Sequence, residues 1–120
     1  MWDVEGTDEF EQWFRDVLDA RERAAVGRVI ELLTELGPQL GRPHVDTLAG
    51  TRLANLKELR AHTRVAELRV LFAFDPRRTA ILLLGGNKAG RWERWYRQAI
   101  PQAEALYAEH LQALERGEQS

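Results

Sequence analysis

Apolar positions fall into two different periods along this chain. Phe10, Trp13, Phe14, Val17 and Leu18 recur at i, i+3, i+4, i+7 and i+8, which is one face of a helix. Thr7 stands where an N-cap belongs, and Asp8 and Glu9 occupy the first turn, where the helix dipole favours anions. Asp19 followed three residues later by Glu22 reads as a capping box opening a second helix. Its stripe runs through Val26, Val29, Ile30, Leu33 and Leu36, and Gly37-Pro38 ends it. Ahead of both helices, Trp2-Asp3-Val4-Glu5 alternates as a short strand would.

Beyond residue 55 the period becomes two. Leu56–Arg60 is a short strand, with Ala61-His62-Thr63-Arg64 as its turn. Val65–Phe74 is the clearest strand. Ala66, Leu68, Val70, Phe72 and Phe74 lie on one face, and Glu67, Arg69, Leu71 and Ala73 on the other. Asp75-Pro76-Arg77-Arg78 is a turn, and Thr79–Leu84, apolar on both faces, is an interior strand. Gly85 to Gly90 reads as a flexible loop. Helical spacing then resumes at Trp92, Trp95, Tyr96 and Ala99 and continues to Leu114, with Pro101 kinking or restarting the helix. Residues 37–55, with Gly37, Pro38, Gly41, Pro43 and Gly50, form a connection. The order β-α-α-β-β-β-α predicts an α+β fold: a two-helix hairpin packed on a small antiparallel sheet, with a C-terminal helix. One domain covers residues 1–115, and 116–120 form a frayed tail.

Composition narrows the function. With 120 residues, 44% of them hydrophobic, the chain has apolar content enough for one genuine core, and its 30% of charged residues carry mixed signs. The absence of cysteine excludes disulfides and thiolate metal sites. The acidic N-terminus has no signal-peptide pattern, and the longest apolar run, Ala80–Leu84, is far too short for a bilayer. A cytoplasmic protein with no membrane partner is expected. The net charge of −2 hides an asymmetry: residues 1–40 hold ten acidic and four basic side chains, while residues 52–97 hold eleven basic and four acidic. A basic middle between acidic ends is one footprint of a phosphate-contacting surface, and equally of a solvated sheet balanced by solvated helices. His44, His62 and His110 are scattered and show no metal-ligand spacing, and Gly85 to Gly90 lacks the Lys-Ser/Thr ending of a nucleotide cradle. No metal or cofactor is expected.

Three segments carry a resemblance. Leu56-Lys57-Glu58-Leu59-Arg60, Glu67-Leu68-Arg69-Val70-Leu71-Phe72 and Ile81 through Lys88 resemble the ELR strand, the Arg-aliphatic-aliphatic-aromatic strand and the lysine-loop strand of the phage-type HigB branch of RelE-like toxins. The run from Trp92-Glu93-Arg94-Trp95-Tyr96 to His110-Leu111 resembles an actinobacterial subgroup of that branch. The loop departs from the pattern: Gly86 and Ala89 stand at the aromatic and second-lysine positions, and Arg91-Trp92 stands where Thr-Pro is usual.

The resemblance implies a toxin of a type II toxin–antitoxin system, a metal-free endoribonuclease that cleaves mRNA on the ribosome. Its partners would be a cognate helix-turn-helix antitoxin and, only through that antitoxin, operator DNA. At matching positions Arg69, Arg60 and Lys88 would be catalytic, with Lys57, Arg64, Arg91, Tyr96 and His62 contacting RNA. Other readings of the same residues stay open. Arg60 and Arg69 can be partners of Glu58 or Glu67, Lys88 a solvated lysine, Tyr96 part of an apolar helix stripe, and His62 an incidental turn residue. The fold would equally serve a ParE-like inhibitor of DNA gyrase that cleaves nothing, or a degenerate homologue that only binds antitoxin.

Overall fold

A computed structural model describes residues 1–88, 90 and 92–117. Strand β1 (Val4–Gly6) leads into helix α1 (Asp8–Gln12), whose N-cap Thr7 accepts from the Phe10 N–H through its hydroxyl at 3.0 Å. A π-helical turn (Trp13–Val17) extends α1, closed by Leu18 N–H donating to the Trp13 carbonyl. The wider turn shifts the phase of the apolar stripe. Phe10 and Leu18 are buried, whereas Val17, expected on the same face, swings out to 68% exposure. Helix α2 (Ala20–Leu36) opens on the expected Asp19/Glu22 capping box and ends at Gly37. A 3₁₀ turn (Gly37–Gln39) follows. Strands β2 (Val45–Thr47), β3 (Lys57–His62), β4 (Glu67–Phe74) and β5 (Ala80–Asn87) precede helix α3 (Trp92–Glu115).

The sheet order is β1-β5-β4-β3-β2, antiparallel except for β1 beside β5. The expected α+β architecture is present: α1 and α2 cover one sheet face, and the C-terminal helix covers the other. Ala66, Leu68, Val70, Phe72 and Phe74 join the core under α1 and α2, and Leu71 and Ala73 join the core under α3. Alternation along β4 therefore sorts residues between two cores.

Several boundaries differ from the sequence expectation. Strand β2 lies within the segment read as a connection; it is three residues long and has no periodicity to reveal it. Strand β3 continues through His62, and the turn is Thr63–Ala66, held by the Thr63 hydroxyl accepting from the Val65 and Ala66 N–H groups. Val65 is consequently 89% exposed rather than part of β4. Helix α3 runs through Pro101 as one element. Of the expected tail, Arg116 and Gly117 turn off the helix end, and residues 118–120 lie outside the described residues.

The glycine run is the largest correction. Gly85 and Gly86 are strand, not loop. A bulge opposite Leu71/Phe72 puts Leu83 and Leu84 in succession on the α3 side and resets the alternation behind them. A Cβ on Gly85 would overlap the Trp13 ring, and one on Gly86 would overlap the Trp95 indole. The two glycines thus let one tryptophan from each helical layer seat directly on β5. Gly85→Ala and Gly86→Ala are each expected to cost about 1–3 kcal/mol through overpacking, read as a lowered midpoint in urea denaturation.

The far end of α3 is pinned to the β4–β5 turn. Tyr107 donates its hydroxyl to the Phe74 carbonyl at 2.9 Å, and His110 Nε2 lies 2.8 Å from the fully buried Asp75 carboxylate. Asp75 also accepts from Arg77 Nη2 at 2.7 Å and from the Thr79 N–H at 3.1 Å. Burial pushes the Asp75 carboxyl up, but the hydrogen bonds from His110, Arg77 and Thr79 outweigh it and hold the group below its ordinary 3.8. A depressed carboxyl contributes stability that is complete above its unfolded value and is lost as pH falls through its folded one. Stability is therefore expected to drop on acidification below about pH 4, and Asp75→Asn to flatten that limb when denaturation midpoints are compared across pH.

Candidate functional site

The sheet face under α3 carries charge inside its core. In the register, Arg60 of β3 stands directly opposite Arg69 of β4, and Arg69 opposite Gly86 of β5. Two like charges directly across a ladder repel. Glu58, on the same face one pair along, resolves this. One of its oxygens accepts from Arg60 Nε at 2.8 Å. The other accepts from the Tyr96 hydroxyl and lies 3.9 Å from Arg69 Nε. Glu58 is 2% exposed and Arg69 is 6% exposed. Arg69 also donates to the Leu68 carbonyl at 2.9 Å and reaches Glu67 at 3.5 Å, yet its buried Nε has no hydrogen-bond partner among the described residues.

Lys88 completes the group. Its backbone N–H donates to the Glu67 carbonyl at 2.9 Å, which fixes the residue beside the start of β4. Its ammonium sits 5.7 Å from the Trp92 ring centre and 5.9 Å from that of Tyr96. Burial and the nearby Arg69 and Arg60 charges push the Lys88 ammonium below its ordinary value. Burial and the Glu58 carboxylate push the Tyr96 phenol up to about 12. Glu58, Arg60, Lys88, Trp92, Tyr96 and Ile100 line an open hollow of about 350 Å³. Three cations thus surround one engaged carboxylate and a phenol that stays protonated at neutral pH, an arrangement suited in charge to an anion and with proton donors beside it.

The structure brings together Arg60, Arg69, Lys88 and Tyr96 from the sequence-derived set. Lys57 points to the opposite face at the other end of β3 and donates to the Thr47 hydroxyl at 3.0 Å. His62 and Arg64 line a different hollow, beside α2. Arg91 lies outside the described residues. Arg69 lies on the face opposite Leu68 and Val70, as the alternation predicts, but that face is not open to solvent, because α3 buries it. Arg69→Ala is then no longer a surface change, since it strips Glu58 of a neighbouring charge. Glu58 was legible only as an arginine's partner. The signal for its larger part is its alternation with Arg60 in a strand otherwise flanked by buried Leu56 and Leu59.

Among the described residues, no group of His, Asp and Glu could hold a metal ion, and no helix is long and apolar enough to cross a membrane. Residues 12–108 match the family described as "Phage derived protein Gp49-like". The chain belongs to the Gp49-like, HigB-type family. Two relatives from Mycobacterium tuberculosis (strain H37Rv) are similar to it. "Putative toxin HigB2" is 50% identical over 82% of this chain and 49% of its own length. "Putative toxin HigB3" is 50% identical over 78% of this chain and 80% of its own length. The chain spans about half the length of the first of these relatives. The family match covers the hollow and all the elements that line it, so the charged core belongs to the Gp49-like domain itself.

The buried carboxylate makes a stability prediction. Glu58→Ala leaves Arg69 buried without its counter-charge and is expected to cost about 3 kcal/mol, whereas the half-exposed Lys88→Ala stays within about 1 kcal/mol. Urea denaturation of both variants measures the contrast.

Proposed function

We propose that the protein is the toxin of a type II toxin–antitoxin system and acts as a metal-free, ribosome-dependent mRNA endoribonuclease. The observation that carries this reading is the convergence of Arg60 and Lys88 on one hollow beside Tyr96, with Arg69 buried against the Glu58 carboxylate that lines it. The names of the two mycobacterial relatives support the toxin part. The partner is a cognate antitoxin with a helix-turn-helix domain, through which alone the protein meets operator DNA, and both work in the cytoplasm.

In this reading the ribose 2′-oxygen attacks the adjacent phosphorus while the bond to the 5′-oxygen breaks, leaving a 2′,3′-cyclic phosphate and a free 5′-hydroxyl. Negative charge builds on the non-bridging oxygens, where the Arg60 and Arg69 guanidiniums and the Lys88 ammonium lower its energy. The phosphate competes with Glu58 for Arg60. A Glu58 oxygen released from Arg60 becomes an acceptor for the 2′-hydroxyl proton. Lys88, with its lowered proton affinity, is the donor for the leaving 5′-oxygen, and Tyr96 holds the second Glu58 oxygen in place.

Of the three cations, Lys88 is the one whose loss harms cleavage most while leaving the fold intact, because Arg69 is buried and Arg60 is paired with Glu58. Lys88→Ala is expected to slow cleavage about 10²–10³-fold at an unchanged melting temperature. Induced expression with and without the antitoxin, followed by mapping of mRNA 5′ ends, measures it. The rate is further expected to fall on an alkaline limb below the ordinary lysine value of 10.5, because the ammonium must stay charged. Lys88→Arg should remove that limb. A wild-type protein that arrests growth with no new 5′ ends would favour gyrase inhibition instead.

A further inference from the structure

The hollow under α3 does not end at Arg60. Arg60 also lines a second hollow of about 250 Å³ on the other side of β3, together with His44, Arg28 and His62. Arg28 and His62 in turn line a third, of about 640 Å³, with Arg21 and Arg64. The first and second hollows meet at Arg60, and the second and third at Ala25, Arg28 and His62, so the three follow one another as a trough around the edge of the sheet. The edge is open there because β2 pairs only with Lys57, Glu58 and Leu59, leaving β3 from Arg60 onward without a ladder neighbour on its outer side apart from the Arg60 N–H to His44 carbonyl bond at 2.7 Å.

Among the described residues, the cations beyond Arg60 along these hollows are not committed to carboxylates. Arg15, Arg42 and Arg77 each meet a carboxylate. Arg21, Arg28 and Arg64 are exposed and meet none among the described residues. Asp19, the one acid lining the third hollow, is committed to the Glu22 N–H at 2.8 Å in the cap of α2. Arg21 and Arg28 are seven residues apart on α2, so they project from one face, and Ala24 and Ala25 between them keep the floor low.

We infer that this trough is the path of a single-stranded RNA backbone, which leaves the hollow at Arg60, crosses the β3 edge past His44 and His62, and lies against Arg28, Arg21 and Arg64. The inference rests on the proposed RNA cleavage. A strand held at Lys88 and Arg60 has to leave that hollow; Arg60 at the exit is paired with Glu58 and Asp46, and beyond it stand Arg28, Arg21 and Arg64, which meet no carboxylate among the described residues. An acidic protein segment would find the same charges, but nothing would tie it to the first hollow; continuity with the phosphate site favours RNA.

The test uses the whole protein, the triple variant Arg21→Ala/Arg28→Ala/Arg64→Ala, and its Arg→Lys counterpart. The probes are 2′-O-methyl oligoribonucleotides of two and of ten nucleotides, which carry the phosphates without the nucleophile. The dinucleotide reaches only the first hollow and should bind all three proteins alike. The ten-nucleotide probe should bind the alanine variant at least about 10-fold more weakly, with the slope of log affinity against log salt reduced by about 2, at about 0.7 per lost phosphate contact on a single strand. The lysine variant should restore most of both. Equal binding of the long probe by wild type and alanine variant would overturn the path while leaving the cleavage site standing. If the wild type binds neither probe, the path is overturned as a site with its own affinity for RNA, while ribosome-dependent cleavage is decided separately by the mapping of mRNA 5′ ends. Displacement of the long probe by polyglutamate at equal charge concentration would overturn the RNA assignment in favour of a protein partner.

Discussion

Everything at the site depends on a carboxylate and a guanidinium buried side by side, Glu58 and Arg69. Taking two such ions out of water costs several kcal/mol each, and mutual attraction recovers this only when the remaining donors and acceptors are satisfied. Glu58 is satisfied: one oxygen faces Arg60, and the other faces Tyr96. Arg69 is not, since its Nε has no partner among the described residues and the nearest Glu58 oxygen is 3.9 Å away. The local excess of positive charge, increased by Lys88, is what an anion entering the hollow would relieve.

Helix α3 makes that burial possible and sets the shape of the site. Its middle, with Ala99 and Ala103, lies close on β4 and β5 because those side chains are small. Its first turns then carry Trp92 and Tyr96 over Lys88. Glu104 accepts from the Arg52 and Leu53 N–H groups at 2.6 and 3.0 Å, which fastens the chain between β2 and β3 to the same helix. Tyr107 and His110 fix its far end on the β4–β5 turn. The helix that closes the second core is therefore also one wall of the hollow, and it is anchored at points well away from it.

The architecture was legible where local chemistry and periodicity agree: the Thr7 cap, the Asp19–Glu22 box, the alternation of β4 and the long stripe of α3. Elements set by tertiary contact were not. A three-residue strand has no period. The π turn after Gln12 changes which residues face inward without any signature in composition. Gly85-Gly86 carries the composition of a loop, yet is strand because two tryptophans distant in sequence occupy the space that side chains would need. The site was half legible. The resemblance pointed to Arg60, Arg69 and Lys88, but the stripe of α3 was not assigned a sheet face. Once it is, the Glu67, Arg69, Leu71 and Ala73 side of β4 has to be a second core. Arg69 then needs a buried counter-charge, and Glu58 is the acid on that face in the neighbouring strand.

The register adds a last consequence. Arg60 and Arg69 oppose each other directly, so the sheet alone would favour their separation, and Glu58 is the group that holds them on one face. In the proposed chemistry a phosphate takes over part of that task from the carboxylate. The ion pairs that stabilise the empty protein and the contacts that grip the reacting phosphate thus draw on the same two guanidiniums. A ligand that binds only the folded state raises its stability by mass action, but here part of that gain is offset by the Glu58 contacts it displaces. In that proposal the same exchange gives Glu58 its part: held by two donors it is a structural counter-ion, and relieved of Arg60 it has an oxygen free to accept the 2′-hydroxyl proton.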